Sequence, residues 1–193
     1  LIAYDGSKGS DSALDDLVRA GLPRAGEAVV VSVADVWLPP TNGSRSPEDR
    51  PDPPLDSATE QWIKKQWDRG KAKLAEAETL ADHARKRVQM ALPGWDVQVA
   101  ASYGSPAWEI IEKADEFDVD LIVVGSQGRS AIGRFVLGSI SQKVLTEARC
   151  SVRIGRGKIE VDETPVRLLV GFDGSQGSIA ALKAVAARSW PKG

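Results

Sequence analysis

The residues best suited to chemistry are Gly125-Ser126-Gln127-Gly128 and, after nine more, Gly138-Ser139. Gly125 and Gly128 leave the backbone bare, so peptide N–H groups can approach an anion closely. Gly138-Ser139-Ile140 opens a predicted helix. Its first N–H groups lack partners and its dipole favours negative charge. Ser139 adds a hydroxyl. Arg129 and Arg134 put guanidinium groups on the same loop, a set that suits a polyphosphate. Glycines that merely punctuate a long connection would look similar in composition. Their placement, directly after the strand Asp120-Leu121-Ile122-Val123-Val124, apolar from Leu121 on, and before a helix, favours anion binding.

Other phosphate motifs fit poorly. Residues 128–133 have the glycine spacing of a P-loop, but Arg134-Phe135 stand where lysine and a metal-binding hydroxyl are required. A dinucleotide fingerprint G-x-G-x-x-G should follow the first strand, and Asp5-Gly6-Ser7-Lys8-Gly9 does not supply it. Residues 6–12 bear only a loose likeness to a pyrophosphatase loop of nucleotidyl-transfer enzymes.

The elements that must position this loop are legible from periodicity. Residues 1–4 form a short buried strand ended by Asp5-Gly6-Ser7. Ser10 or Asp11 can cap a helix reaching about residue 20, with Ala13, Leu14, Leu17 and Val18 on one face. Residues 28–33 are apolar but for Ser32 and rich in β-branched side chains, the mark of a strand covered on both faces. Residues 39–55 are rich in proline and cannot be helix or central strand, so they form a long loop. A long helix spans about 58–92. Its stripe of Ile63, Trp67, Gly70, Leu74, Ala77, Ala81, Ala84 and Val88 lies along a sheet, or else meets a partner helix. Residues 96–103 alternate as a strand with Val97, Val99 and Ala101 on one side. Pro106 opens the next helix behind a Ser105 cap. Strand 120–124, helix 139–148 and strand 151–154 complete the order. Strands and helices that alternate at this spacing predict an α/β fold, a doubly wound five-stranded parallel sheet with helices on both faces. In such sheets ligands sit beyond the strand carboxyl ends, where Asp5 and Gly125 both lie.

Composition narrows the function classes. Hydrophobic residues make up 42% and charged residues 27% of 193, enough for a real core, and the net charge of -2 provides no global basic field for nucleic acid or anionic lipid. No apolar run approaches the roughly 20 residues of a membrane span, and no signal peptide is visible. Neither a nucleic-acid nor a membrane partner is expected. Cys150 is the one cysteine, so neither an intrachain disulfide nor a structural zinc site is available, and a cytoplasmic setting fits. It reads as a small buried hydrophobe. His83 lies mid-helix on a solvated face, and Asp15 and Asp16 look like a solvated helix face too. No Ser-His-Asp or Cys-His set can be assembled, so no catalytic residue is assigned.

The chain repeats itself. LVGFDGSQGSIAAL from Leu169 matches LIAYDGSKGSDSAL from Leu1 in register. The expected organisation is a domain over 1–157, a linker over 158–165, and the first strand and helix of a second, incomplete repeat over 166–193. Residues ahead of Leu1 and a longer tandem protein are expected. Asp173 matches Asp5, but no second glycine loop follows it, so one ligand per chain is expected.

The glycine set resembles the hallmark G-x-x-G, nine residues, G-[ST] of the universal stress protein family. Asp5-Gly6-Ser7, Ser105-Pro106 with Ile110-Ile111, and the Asp-Leu-Ile-Val-Val-Gly strand are similar as well. The resemblance covers nearly all of 1–156 and again about 168–190. It implies a Rossmann-like five-stranded sheet and, in the nucleotide-binding branch that keeps the glycine motif, ATP (or AMP or ADP), with Mg²⁺ on the phosphates. It implies that Asp5 contacts the nucleoside and that Val33 and Val124 line the base. Gly125, Gly128, Gly138, Ser139 and Ile140 would surround ribose and phosphates, with Arg129 on the same loop. The expected function is an ATP-binding stress-response regulator with at most weak ATPase activity. The alternatives are a slow ATPase or nucleotidyl-transfer enzyme, and an interaction module that binds no nucleotide. Family members commonly dimerise through the last strand, which implies a homodimer or contact with a second such domain. Here Arg153 interrupts that strand's apolar run.

Overall fold

The computed structural model of the chain describes residues 1–36, 56–128, 137–157 and 165–190. The proline-rich segment, Arg129, Arg134 and nearly all of the expected linker lie outside them.

Five strands form one parallel sheet: β1 (Ile2–Ala3), β2 (Gly26–Ala34), β3 (Trp95–Tyr103), β4 (Leu121–Gly125) and β5 (Ser151–Gly155). Their spatial order is β3-β2-β1-β4-β5. The short β1 is therefore central, with Ile2 opposite Val30 on one side and Val123 on the other. The direction of strand addition reverses between β1 and β4, and a crevice opens there.

Alternation along the strands splits the core in two. Ile2, Tyr4, Val30, Val97 and Val123 face α1 (Lys8–Asp15) and α2 (Ser57–Ala91). Val29, Val31, Ile122 and Val124 face α3 (Pro106–Glu116) and α4 (Ser139–Glu147). Parallel strands read as unbroken apolar runs because both faces are covered. The edge strand β3 departs from this. Val97 is buried, but Val99 on the same side is exposed, because edge strands receive only partial cover.

The stripe on α2 lies along the sheet, with Gly70, Ala77, Ala81, Ala84 and Val88 all buried. Small side chains let the helix axis approach the strands closely. At 35 residues α2 is about 52 Å long, whereas nine-residue β2 and β3 span roughly 30 Å. Its opening turns therefore extend past the carboxyl edge of the sheet.

Several local expectations need correction. α1 is capped by Ser7, not by Ser10 or Asp11, and a 3-10 turn (Asp16–Arg19) replaces its last stretch. The cap moves forward because Asp5 Oδ1 accepts the Ser7 N–H at 3.0 Å, which tightens the turn at the end of β1. Asp15 and Asp16 are not simply solvated: Asp15 pairs with Arg87 of α2 at 2.7 Å and Asp16 with Arg153 of β5 at 2.5 Å. Arg153 thus sits on the α1 side of the sheet with a carboxylate partner. Cys150, half-buried, immediately precedes β5, and burial pushes its thiol up.

In the tail, a helix α5 (Gln176–Ala187) forms as expected, but residues 166–173 make no strand. A strand needs a neighbour to take its backbone hydrogen bonds, and none flanks this segment among the described residues. The tail touches the turn after the 3-10 segment through Arg188, whose Nη1 donates to the Ala20 carbonyl at 2.9 Å, and through the Ser189 amide, which donates to the Gly21 carbonyl at 3.2 Å.

Candidate functional site

A cleft of about 610 Å³ opens at the carboxyl ends of β1, β2 and β4. Asp5 enters it from the end of β1, Val33 from β2, and Val124 and Gly125 from β4. Gly128, Gly138, Ser139 and Ile140 close the opposite side. Every expected site residue except Arg129, which is outside the described residues, lines this one space.

Its floor is apolar. Val124 is buried and Val33 half-buried. Its two polar walls are built by different means. On one side the β1–α1 turn holds Asp5. Ser7 receives the Ser10 amide on its hydroxyl at 3.2 Å, and Ser10 returns its hydroxyl to the Ser7 carbonyl at 2.9 Å. On the other side the glycine stretch is tied at three points. Ser126 donates its amide to the Gly155 carbonyl at 2.8 Å, Gly138 donates to the Ser126 carbonyl at 2.8 Å, and Ser141 Oγ donates to the Gly125 carbonyl at 2.6 Å. Gly138 then caps α4 with extended backbone. The free N–H groups of the first turn start at this point.

The two walls meet through glycine. A β-carbon on Gly9 would lie 1.9 Å from the Gln127 carbonyl oxygen, and one on Gly125 would lie 2.4 Å from the Gly9 carbonyl carbon. No side chain fits, so the start of α1 packs backbone to backbone on the loop. Farther into the cleft, a β-carbon on Gly128 would stand 3.0 Å from Asp5 Oδ2. The carboxylate and the bare peptide thus face each other at close range.

Sequence reasoning missed the roof. Lys73, Glu76, Ala77 and Leu80 of α2 also line the cleft, with Lys73 and Glu76 paired at 2.8 Å. The signal for this was the stripe position Ala77, whose neighbours at i−4 and i+3, Lys73 and Leu80, share its face, while Glu76 lies beside Lys73 at i+3. Gly9 was missed too, because a glycine in the first turn of a helix has no local signature of close packing. Beneath Asp5, Tyr4 is buried and its hydroxyl donates to Asp11 Oδ1 at 2.9 Å. Burial, then this hydrogen bond, push its phenol up, so it stays a donor at neutral pH.

Among the described residues no helix is long and apolar enough to cross a membrane. No group of three or more histidine, cysteine or acidic side chains gathers there that could hold a metal ion.

The family model of the Universal stress protein family matches residues 1–156. Universal stress protein YxiE of Bacillus subtilis is 30% identical over 156 residues, 81% of this chain and 97% of that protein. Universal stress protein MJ0531 of Methanocaldococcus jannaschii is 36% identical over 73 residues, so this chain matches only 43% of its length. The solved structure of the protein MJ0577 shares the fold, with a TM-score of 0.62 at 19% identity over 82% of this chain and 95% of that one. A matched domain with this sheet order, this cleft and the glycine loop at its mouth leads to one conclusion: the chain belongs to the universal stress protein family.

Proposed function

We propose that the cleft binds an adenine nucleotide, ATP with Mg²⁺ on its phosphates, and that binding regulates the shape or association of the protein in a stress response. The observation that carries this reading is the approach of Asp5 to Gly128 across an apolar floor. A nucleotide needs three surfaces in sequence. An apolar slot takes the base, and Val33 and Val124 offer one. An acceptor takes the ribose hydroxyls, and Asp5 offers one. Backbone N–H groups take the phosphates, and Gly125, Gly128 and the start of α4 at Ser139 and Ile140 offer them. A volume of about 610 Å³ lies within the usual range of small-molecule sites, roughly 300–1,000 Å³. Mg²⁺ would arrive with the polyphosphate rather than in a protein cage.

Mass spectrometry of ligand released from denatured protein, followed by calorimetry with ATP and AMP, tests the reading. Heat of binding at or below millimolar ATP is expected. Its absence with folded protein rejects nucleotide binding. Gly128→Ala is the sharpest variant. Its methyl group meets only the tip of the Asp5 side chain, so the fold tolerates it while the close approach is lost. We expect affinity to fall about tenfold or more with little change in stability. Any ATP hydrolysis that is indifferent to Gly128→Val counts as contamination.

The 166–193 segment is read as part of a second domain of the same kind. Its support is the atom-for-atom repetition of the β1–α1 turn described below.

A further inference from the structure

One guanidinium joins three elements behind the cleft. Arg87 of α2 donates through Nη1 to Asp11 Oδ1 and through Nη2 to Asp15 Oδ1, the latter at 2.7 Å. The same Asp11 oxygen accepts the Tyr4 hydroxyl from the end of β1. Tyr4 immediately precedes Asp5. Arg87 lies about two helical turns from Leu80 and about four from Lys73, both of which roof the cleft. The Arg87 cluster therefore connects the wall that carries Asp5 to the helix that forms the roof.

The internal repeat separates this cluster from the turn itself. At the positions of Tyr4, Asp11 and Asp15 the tail carries Phe172, Ile179 and Lys183, so each of Arg87's partners and the hydroxyl are gone together. Yet the turn at Asp173 forms with the same hydrogen bonds, Ser175 N–H to Asp173 Oδ1 at 2.9 Å and Ser178 N–H to Ser175 Oγ at 3.2 Å. The cluster is not needed to build an aspartate turn. What it adds is the seating of α2 against that turn.

We propose that Arg87 is a positioning residue of the cleft: through Asp11 and the Tyr4 hydroxyl it sets the α2 roof over Asp5 and so tunes nucleotide affinity without touching the ligand. This rests on the nucleotide reading of the cleft. A helix is stiff over two to four turns, so release of its lower end moves the roof residues relative to Asp5.

The test compares Arg87→Ala, Arg87→Lys and Arg153→Ala in the full chain, by ATP calorimetry and amide hydrogen exchange. Arg153→Ala removes an ion pair that the 3-10 extension of α1 makes through Asp16, away from the cleft lining. Arg87→Ala should weaken ATP binding about tenfold and speed exchange of the amides of residues 73–80. Arg87→Lys should recover part of both, and Arg153→Ala should change neither. The proposal is overturned if Arg87→Ala binds ATP like the unaltered chain, or if Arg153→Ala weakens binding equally. Should Arg87→Ala fail to fold, Tyr4→Phe removes one oxygen only. A weakening of about threefold supports the proposal, and unchanged affinity overturns it. If the unaltered chain takes no ATP, the nucleotide reading falls. Exchange in the free protein then decides the clamp, and equal exchange of residues 73–80 in Arg87→Ala and Arg153→Ala overturns it.

Discussion

The segment beginning at Leu1 and the one beginning at Leu169 build the same turn and meet opposite fates. Gly6 and Gly174 take positive φ of 75° and 81°. Asp5 and Asp173 each accept the serine amide two residues on, at 3.0 and 2.9 Å. Ser10 and Ser178 each return a hydroxyl to the carbonyl of the capping serine at 2.9 Å. Burial differs: Leu1 is 7% exposed and Leu169 fully exposed, Leu14 is 4% exposed and Leu182 48%. Only the first copy has a strand. The turn is a local object, made by side chains within three residues of one another. The strand is a non-local object that requires β2 and β4 beside it.

Substitutions at matched positions can break that comparison. The largest contrast is expected between Gly9→Ala and Gly177→Ala. A methyl on Gly9 collides with the Gln127 carbonyl, whereas on Gly177 it meets only its own Ser175 hydroxyl at 3.8 Å. Denaturant unfolding should show a loss on the order of 3–4 kcal/mol for the first and under about 0.5 for the second. Equal losses would mean that α5 packs as tightly as α1. Next, Leu14→Ala should cost roughly 3 kcal/mol by loss of buried apolar surface, and Leu182→Ala less than about 1. Removal of the cap is a smaller effect. Ser7→Ala should cost about 1.5 kcal/mol, since Ser7 is buried and also reaches the Gln127 carbonyl at 3.3 Å, and Ser175→Ala about 0.5.

The smallest effect is in pH. Hydrogen bonds from the Ser175 hydroxyl and amide, and then from the Ser178 hydroxyl, hold the exposed Asp173 carboxyl down at about 2, against 3.8 in an open chain. A depressed folded value stabilises the turn above 3.8, and that contribution fades as pH falls through about 2. Carbon-detected NMR titration of the Asp173 carboxyl should find a midpoint near 2, with the start of α5 fraying over the same interval. A midpoint at 3.8 would show that the turn is not held in solution.

Much of the fold was open to reading because its signals are short-range. The apolar runs of β2 and β4, the stripe of α2, Pro106 behind Ser105 and the spacing of Gly125, Gly128, Gly138 and Ser139 each follow from steric or periodic rules within a few residues. The misreadings share one cause. Asp15 and Asp16 looked solvated because their partners, Arg87 and Arg153, are remote in sequence. Lys73, Glu76 and Leu80 drew no reading of their own, because the stripe on α2 shows which face is covered and not that the helix overhangs the crevice. Gly9 carries no local sign of its role because its reason lies in Gln127.

What the amino-acid order determined by itself is the helices, the aspartate turn in both its copies, and a backbone bare of side chains at Gly125 and Gly128. These depend on contacts that the chain makes with its own near neighbours. Tertiary structure decided which copy of the turn becomes a wall of a cleft. That outcome needed β1 between β2 and β4, the backbone of Gly9 pressed against Gln127, and Arg87 seated on Asp11. Such contacts exist only once distant segments have been brought together and the entropy of closing those loops has been met by burial of the core.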